Sequence, residues 1–195
     1  MSKKLNKVVF DLETKNLFQE VGSSDPAALS MSIACIYESA TDTYSSFLEE
    51  DLFKLWPILE RADMLIGYNS DHFDIPLLNK YYHGDLNSIK SLDLLVEIRK
   101  SLGRRVSLDQ VAEGTLGRKK TGHGLQAIQW WKQGDIESIR TYCLEDVRIT
   151  KDIYDYALEN KMLKFKEAGK LFDIPLDVKN WEKKEEKAMT FSLPF

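Results

Sequence analysis

Four carboxylates, Asp11, Glu13, Asp74 and Asp146, interrupt stretches whose other residues read as protein interior. An ionised carboxylate taken out of water is costly, or shifts its pKa, unless a cation or hydrogen-bond donors hold it. Any fold of this chain must therefore bring these acids to water or to a shared positive partner. A bound metal is the obvious candidate.

The first pair lies in Lys7-Val8-Val9-Phe10-Asp11-Leu12-Glu13, a run rich in β-branched and aromatic residues that reads as the opening strand. Alternation along a strand sends Val8, Phe10 and Leu12 to one face and Val9, Asp11 and Glu13 to the other. The two acids thus share a face with Cα atoms about 6 to 7 Å apart, a spacing at which a divalent cation turns repulsion into coordination by hard oxygen ligands. An edge strand with its acids in water would give the same pattern. Asp74 follows a buried strand, Met64 to Tyr68, and a polar turn; with Pro76 in a first helical turn, it sits near a helix start, where an anion is favoured and where a plain cap is the simple alternative. A helical pattern runs from about Asp135 to Leu158, with Ile136, Ile139, Cys143, Val147, Thr150, Ile153 and Ala157 at three- and four-residue steps. Tyr142 and Asp146 fall on or beside that stripe and should both point inward, either as a cooperating acid–base and metal pair or as a packed Tyr bonded to an Asp.

The combination is more specific than its parts. Phe-Asp-Leu-Glu-Thr, then Asn-x-x-x-Phe-Asp from Asn69 to Asp74, then Tyr-x-x-x-Asp from Tyr142 to Asp146, in that order, resembles the DEDD superfamily of 3′→5′ exonucleases in its tyrosine-containing DEDDy branch. The histidine branch would place His five residues before the last Asp, where this chain has Thr141. The resemblance covers Val8 to Tyr156. It implies a ribonuclease-H-like α/β fold, a mixed sheet of about five strands flanked by helices. It implies two divalent ions, Mg²⁺ or Mn²⁺, held by Asp11, Glu13, Asp74 and Asp146, with Tyr142 orienting or deprotonating the attacking water. It also places Thr14, Asn69 and Phe73 near the terminal nucleotide of a single-stranded DNA or RNA 3′ end, where an aromatic could stack on a base without reading it. The implied activity is hydrolysis of that end to nucleoside 5′-monophosphates. A non-catalytic nucleic-acid-binding module and a structure-selective endonuclease are the alternatives on the same fold.

At 195 residues the chain suits one domain with a full core, and its net charge of −4 argues mildly against a protein that coats nucleic acid, without excluding one that grips a few nucleotides. Positive charge concentrates in Arg99, Lys100, Arg104, Arg105, Arg118, Lys119 and Lys120, among glycines, which predicts short helices and loops bordering a strand channel or a solvated basic surface. The expected organisation is a domain over residues 1–160 and a charged extension over 161–195, possessing a charged helix from Trp181 to Lys187 and a terminal Phe191–Phe195 segment able to dock. No stretch is apolar enough to span a membrane and no apolar signal segment opens the chain, so a cytoplasmic protein without membrane contact is expected. Cys35 and Cys143 are expected as separate reduced core thiols. His72, His83 and His123 match no familiar metal spacing, Asp93 is expected to cap the helix after it rather than assist the metals, and Trp130 and Trp131 to pack.

Overall fold

The computed structural model of the protein describes residues 5–118 and 124–183. Its elements run β1 (Lys7–Thr14), α1 (Phe18–Val21), β2 (Met31–Glu38), β3 (Thr43–Leu48), α2 (Leu52–Glu60), β4 (Met64–Gly67), α3 (Asp74–Asn79), β5 (Ser91–Asp93), α4 (Leu94–Leu102), α5 (Leu108–Leu116), α6 (Gly124–Gln133), α7 (Ile136–Asn160), β6 (Met162–Glu167) and β7 (Lys170–Pro175). The first five strands form one mixed sheet in the order β3-β2-β1-β4-β5. β2 lies antiparallel to β1 and β3, whereas β4 is parallel to β1 and β5.

Alternation along β1 divides the core in two. Val8, Phe10 and Leu12 enter one cluster with Ala34, Ile36, Leu65 and the apolar faces of α2 and α3, while Val9 enters the other with Ile33, Cys35, Met64, Ile66 and α7. A strand covered by helices on both faces needs apolar residues on both, as the near-continuous apolar runs of β1, β2 and β4 provide. The second cluster carries the acids, because Asp11 and Glu13 have the parity of Val9. Pairing of β1 with β2 runs Asp11↔Cys35 and Glu13↔Ile33, then shifts register between Glu13 and Thr14. Such a bulge bends a strand and re-aims the side chains around it.

Helix ends follow their sequence signals. Asp135 caps α7 by accepting from the Ser138 amide at 3.1 Å, and Ser107 with Gln110 closes a reciprocal capping box on α5. Pro57 lies inside α2 on its exposed side, and the helix continues past it. No helix among the described residues is long and apolar enough to cross a membrane.

The chain beyond α7 was not legible as strands, yet it forms the β6–β7 hairpin. Leu163 and Phe165 point into the core, and the turn at Ala168 and Gly169 has left-handed φ at both residues (49° and 77°), which matches the twist of a two-residue hairpin. The hairpin lies on α5. Thr115 Oγ1 donates to the Lys164 carbonyl at 2.7 Å and accepts from the Lys164 amide at 2.9 Å, and Arg104 grips Glu167 through two nitrogens at 3.0 and 2.8 Å. Trp181, expected at the start of an exposed helix, instead sits in a turn and is buried. It stacks on Tyr154 (5.9 Å, 14°) and donates from Nε1 to Glu97 at 3.2 Å, because a large ring gains more from burial than its charged neighbours give up. The rest of that expected helix, residues 184–187, and the Phe191–Phe195 segment lie outside the described residues.

Close approach of α5 to the hairpin requires Gly114, where a Cβ would come within 2.5 Å of Phe165 Cα and 2.7 Å of the Lys164 carbonyl carbon. Replacing glycine by alanine inside a helix ordinarily stabilises by about 1 kcal/mol. Here the clash is with backbone, so we expect Gly114→Ala to destabilise by about 1–3 kcal/mol, measured by urea unfolding; equal or greater stability would show that the hairpin yields freely.

Candidate active site

Three segments converge at the C-terminal end of β1. Asp11 and Glu13 project from the face that α7 covers, and the thiol of Cys143 on α7 donates to the Asp11 carbonyl at 3.4 Å, fixing the helix against the strand. One turn apart on α7, Tyr142 and Asp146 are both buried. Carboxylate oxygens of Asp11, Glu13 and Asp146 lie within 4.8 Å of one another. A set of hard oxygens gathered so closely, with Glu13 and Asp146 buried, fits a divalent cation of the Mg²⁺ or Mn²⁺ kind.

Asp74 is not one of these three, and its tie to β1 is through the backbone. Pairing of β4 with β1 ends at Val9↔Ile66, and the Leu12 amide, between the two acids of β1, donates to Asp74 Oδ1 at 3.1 Å. Asp74 is the first residue of α3, and Phe73 at the cap position makes no side-chain cap bond. Burial, then the charge of Asp93, push the Asp74 carboxyl up to about 7, against the pull of its own amide and that of Leu12.

Asp93 is the hub behind this corner. Its carboxylate accepts from the amides of Leu95 (2.9 Å) and Val96 (3.4 Å), capping α4 as expected, and also from Asn69 (2.8 Å) and Asp71 (3.1 Å) in the turn after β4. It therefore holds the Asn69–Asp74 turn in place. Burial raises its own carboxyl, with the amides of Asn69 and Asp71 opposing.

The remaining candidates divide between two cavities that meet this turn. A cavity of about 390 Å³ is lined by Glu13, Thr14 and Phe73 together with Leu17, Phe18, Leu125 and Ile128. Phe73 stands edge-on to Phe18 at 6.1 Å, and Thr14 donates its hydroxyl to the Asn16 carbonyl at 3.0 Å. Sequence reasoning did not single out Leu17, Phe18, Leu125 or Ile128; the signal for Leu125 is an exposed leucine, 63 % accessible, at the start of α6. Asn69 instead lines a second cavity of about 360 Å³ with Tyr68, Leu95, Arg105, Val106 and Ser107. Its backbone is left-handed (φ 68°), and its Oδ1 accepts from Arg105 Nη2 at 2.8 Å. A larger cavity, about 560 Å³, is lined by Leu5, Glu60, Asp63, Tyr82, Asp85 and Lys90 among others. It holds none of the clustered acids, which makes the end of β1 the stronger candidate site.

Trp130 packs edge-on to Tyr142 at 6.0 Å and Trp131 lies under Lys15 at 4.8 Å, so both pack, as expected. His72 and His83 are exposed; His123, Lys119 and Lys120 lie outside the described residues. Cys35 and Cys143 are buried free thiols, as expected, but they are neighbours rather than separate, because α7 packs on β2 as well as β1; burial foremost, then the neighbouring Cys35, pushes the Cys143 thiol up.

The family model of the RNase_H superfamily matches residues 8–158, a span that contains all four acids and Tyr142. The chain belongs to the RNase H superfamily. Its mixed five-stranded sheet flanked by helices is the ribonuclease-H-like fold. Among solved structures it is similar to the family B DNA polymerase from the hyperthermophilic archaeon Pyrobaculum calidifontis, with a TM-score of 0.62 and 20% identity over 80% of this chain and 25% of that chain. That likeness is one of fold, and this chain corresponds to about a quarter of the polymerase chain. No curated protein matches.

The Asp74 shift carries a pH dependence. Unfolded, its carboxyl ionises near the ordinary 3.8; in the folded metal-free protein it keeps its proton up to about 7. A folded pKa raised in this way contributes stability at low pH that is lost as pH rises from the ordinary value to the raised one. Metal-free protein should therefore melt at progressively lower temperature between about pH 4 and pH 7, Mn²⁺ should restore the melting temperature above that range, and Asp74→Asn should flatten its share of the slope, all read by thermal scans across pH.

Proposed function

We propose that this protein is a metal-dependent 3′→5′ exonuclease of the DEDDy type, which shortens single-stranded DNA or RNA from the 3′ end and releases nucleoside 5′-monophosphates. The observation that carries this reading is the gathering of Asp11, Glu13 and Asp146 oxygens within 4.8 Å, with Asp74 tied to the residue between the first two and Tyr142 one turn from the last. Asp11, Glu13, Asp74 and Asp146 would hold two divalent ions, Mg²⁺ or Mn²⁺, which when bound supply an activated water nucleophile and stabilisation of the leaving 3′-oxygen.

The chain's own side chains do the rest. Asp74, its carboxyl pushed up by burial, would have to be ionised to hold an ion, so loading would weaken as pH falls. The Tyr142 hydroxyl, held by the packing of its ring against Trp130, orients the attacking water. Thr14 and Phe73 wall the cavity beside Glu13, and the apolar surface supplied by Leu17, Phe18 and Leu125 accepts a terminal base through its face, which suits a site indifferent to base identity. Net negative charge is compatible with this role, since four of the acids are charge partners of the metal.

The test uses 5′-labelled DNA and RNA oligonucleotides, each with a free or a blocked 3′ end, and Mg²⁺ or Mn²⁺. A ladder of shortened products that vanishes on blocking supports the exonuclease; internal cuts in the blocked strand point to an endonuclease, and no cleavage under any condition to a binding module. Asp11→Ala and Asp146→Ala should each abolish turnover while the protein stays folded by circular dichroism. Tyr142→Phe should lower kcat by roughly 10²-fold yet keep the rise in melting temperature on Mn²⁺ addition; full activity in either alanine variant would overturn the assignment.

A further inference from the structure

We propose that Arg105 binds a backbone phosphate of the substrate on the 5′ side of the bond to be cut, and is the residue that makes this site prefer a strand over a single nucleotide. The inference rests on the exonuclease reading and extends it to a residue outside the acidic group.

Five arginines and lysines of the basic segment are described; Arg99 and Arg105 have no ion pair among the described residues, and of these two Arg105 lines a cavity beside the site, whereas the other three are paired. Lys100 pairs with Glu97, Arg104 with Glu167 and Arg118 with Asp152. Arg105 makes no such ion pair with the described residues; its contact is a single hydrogen bond from Nη2 to the neutral Asn69 amide at 2.8 Å. A guanidinium offers five N–H donors in a planar fork suited to phosphate, so one bond to a neutral oxygen leaves both charge and donors available. The side chain is exposed, and it lines the 360 Å³ cavity with Tyr68, Asn69 and Ser107.

Position gives this cation its role. Asn69 and Phe73 belong to one turn, with the Phe73 amide donating to the Asn69 carbonyl at 3.0 Å. Phe73 faces the cavity that contains Glu13 and Thr14, and Asn69 faces the cavity that contains Arg105. A strand whose terminal nucleotide occupies the first cavity has its remaining backbone to place, and the second cavity abuts the same turn with a positive charge. Two supports keep Arg105 there: the Asp93 carboxylate fixes the Asn69 amide, and the Tyr68 hydroxyl donates to the Val106 carbonyl at 2.7 Å, seating the residue next to it.

The test compares wild type, Arg105→Ala and Arg105→Lys with Mn²⁺ on two substrates: thymidine 5′-p-nitrophenyl phosphate, which has no upstream phosphate, and a thymidine octanucleotide. Arg105→Ala should leave hydrolysis of the small ester unchanged and raise KM for the octamer about tenfold or more, the scale of one lost charge-assisted hydrogen bond. The slope of log(kcat/KM) for the octamer against log salt should become shallower by about 0.7, and Arg105→Lys should restore most of it. Octamers carrying one neutral methylphosphonate at successive upstream positions locate the contact. At one position the substitution should weaken wild type and cost Arg105→Ala nothing further. Equal octamer kinetics in wild type and Arg105→Ala, an unchanged salt slope, or additive losses at every methylphosphonate position would overturn the proposal. Loss of small-ester hydrolysis in Arg105→Ala would also overturn it, assigning the residue to support of the acidic centre. Failure of wild type on both substrates would instead overturn the exonuclease reading.

Discussion

Everything in this protein is arranged around a strand that has no free side. β1 is central in its sheet and covered on both faces, with Val8, Val9 and Phe10 buried between the two core clusters. Its partner β4 stops at Val9↔Ile66, and from there one edge of β1 is released while β2 still holds the other. The acids begin at the next residue but one. They sit at the C-terminal end of β1, where the antiparallel neighbour continues and the parallel one has ended. The released edge also explains how Asp74 is tied in: the Leu12 amide, beyond the last residue paired with β4, is what its carboxylate binds.

From there the supports spread outward in layers. The Asp93 carboxylate gathers four amides from α4 and from the turn that carries Asn69 and Asp74, so a charge with no part in the acidic group decides where one of its members stands. On the opposite side, contact between Cys143 and the β1 backbone holds α7 against the strand. Gly114 permits the hairpin to lie against α5, and Arg104 tethers the segment just before Arg105 to Glu167 of that hairpin.

Periodicity made most of this legible. Alternation in β1 placed Asp11 and Glu13 together, and four-residue spacing placed Tyr142 and Asp146 on one inward face. The helical pattern from about Asp135 set the start of α7 to within a residue. What escaped depended on partners far apart in the chain. The Arg105–Asn69 bond joins residues 36 apart, and the two thiols meet because α7 spans both β1 and β2. The β6–β7 hairpin had a local signal, since Leu163 and Phe165 alternate with lysines before Ala168-Gly169. A charged context hid it, because the lysines that mark its outer face look like a solvated tail.

α7 carries Tyr142 and Asp146 near one end and Tyr154 further along, where that ring meets Trp181 and its hydroxyl donates to Glu182 at 2.9 Å. A helix turns about 100° with each residue, so the orientation of Asp146 toward β1 is phased with that of Tyr154 toward the returning chain. A one-residue insertion anywhere between them would rotate one contact away while the other held. The turn between β2 and β3, whose residues line neither of the two cavities at the site, has no such phase to keep and can change in length. In the history of such a chain, gaps should accumulate there and be purged from the helix.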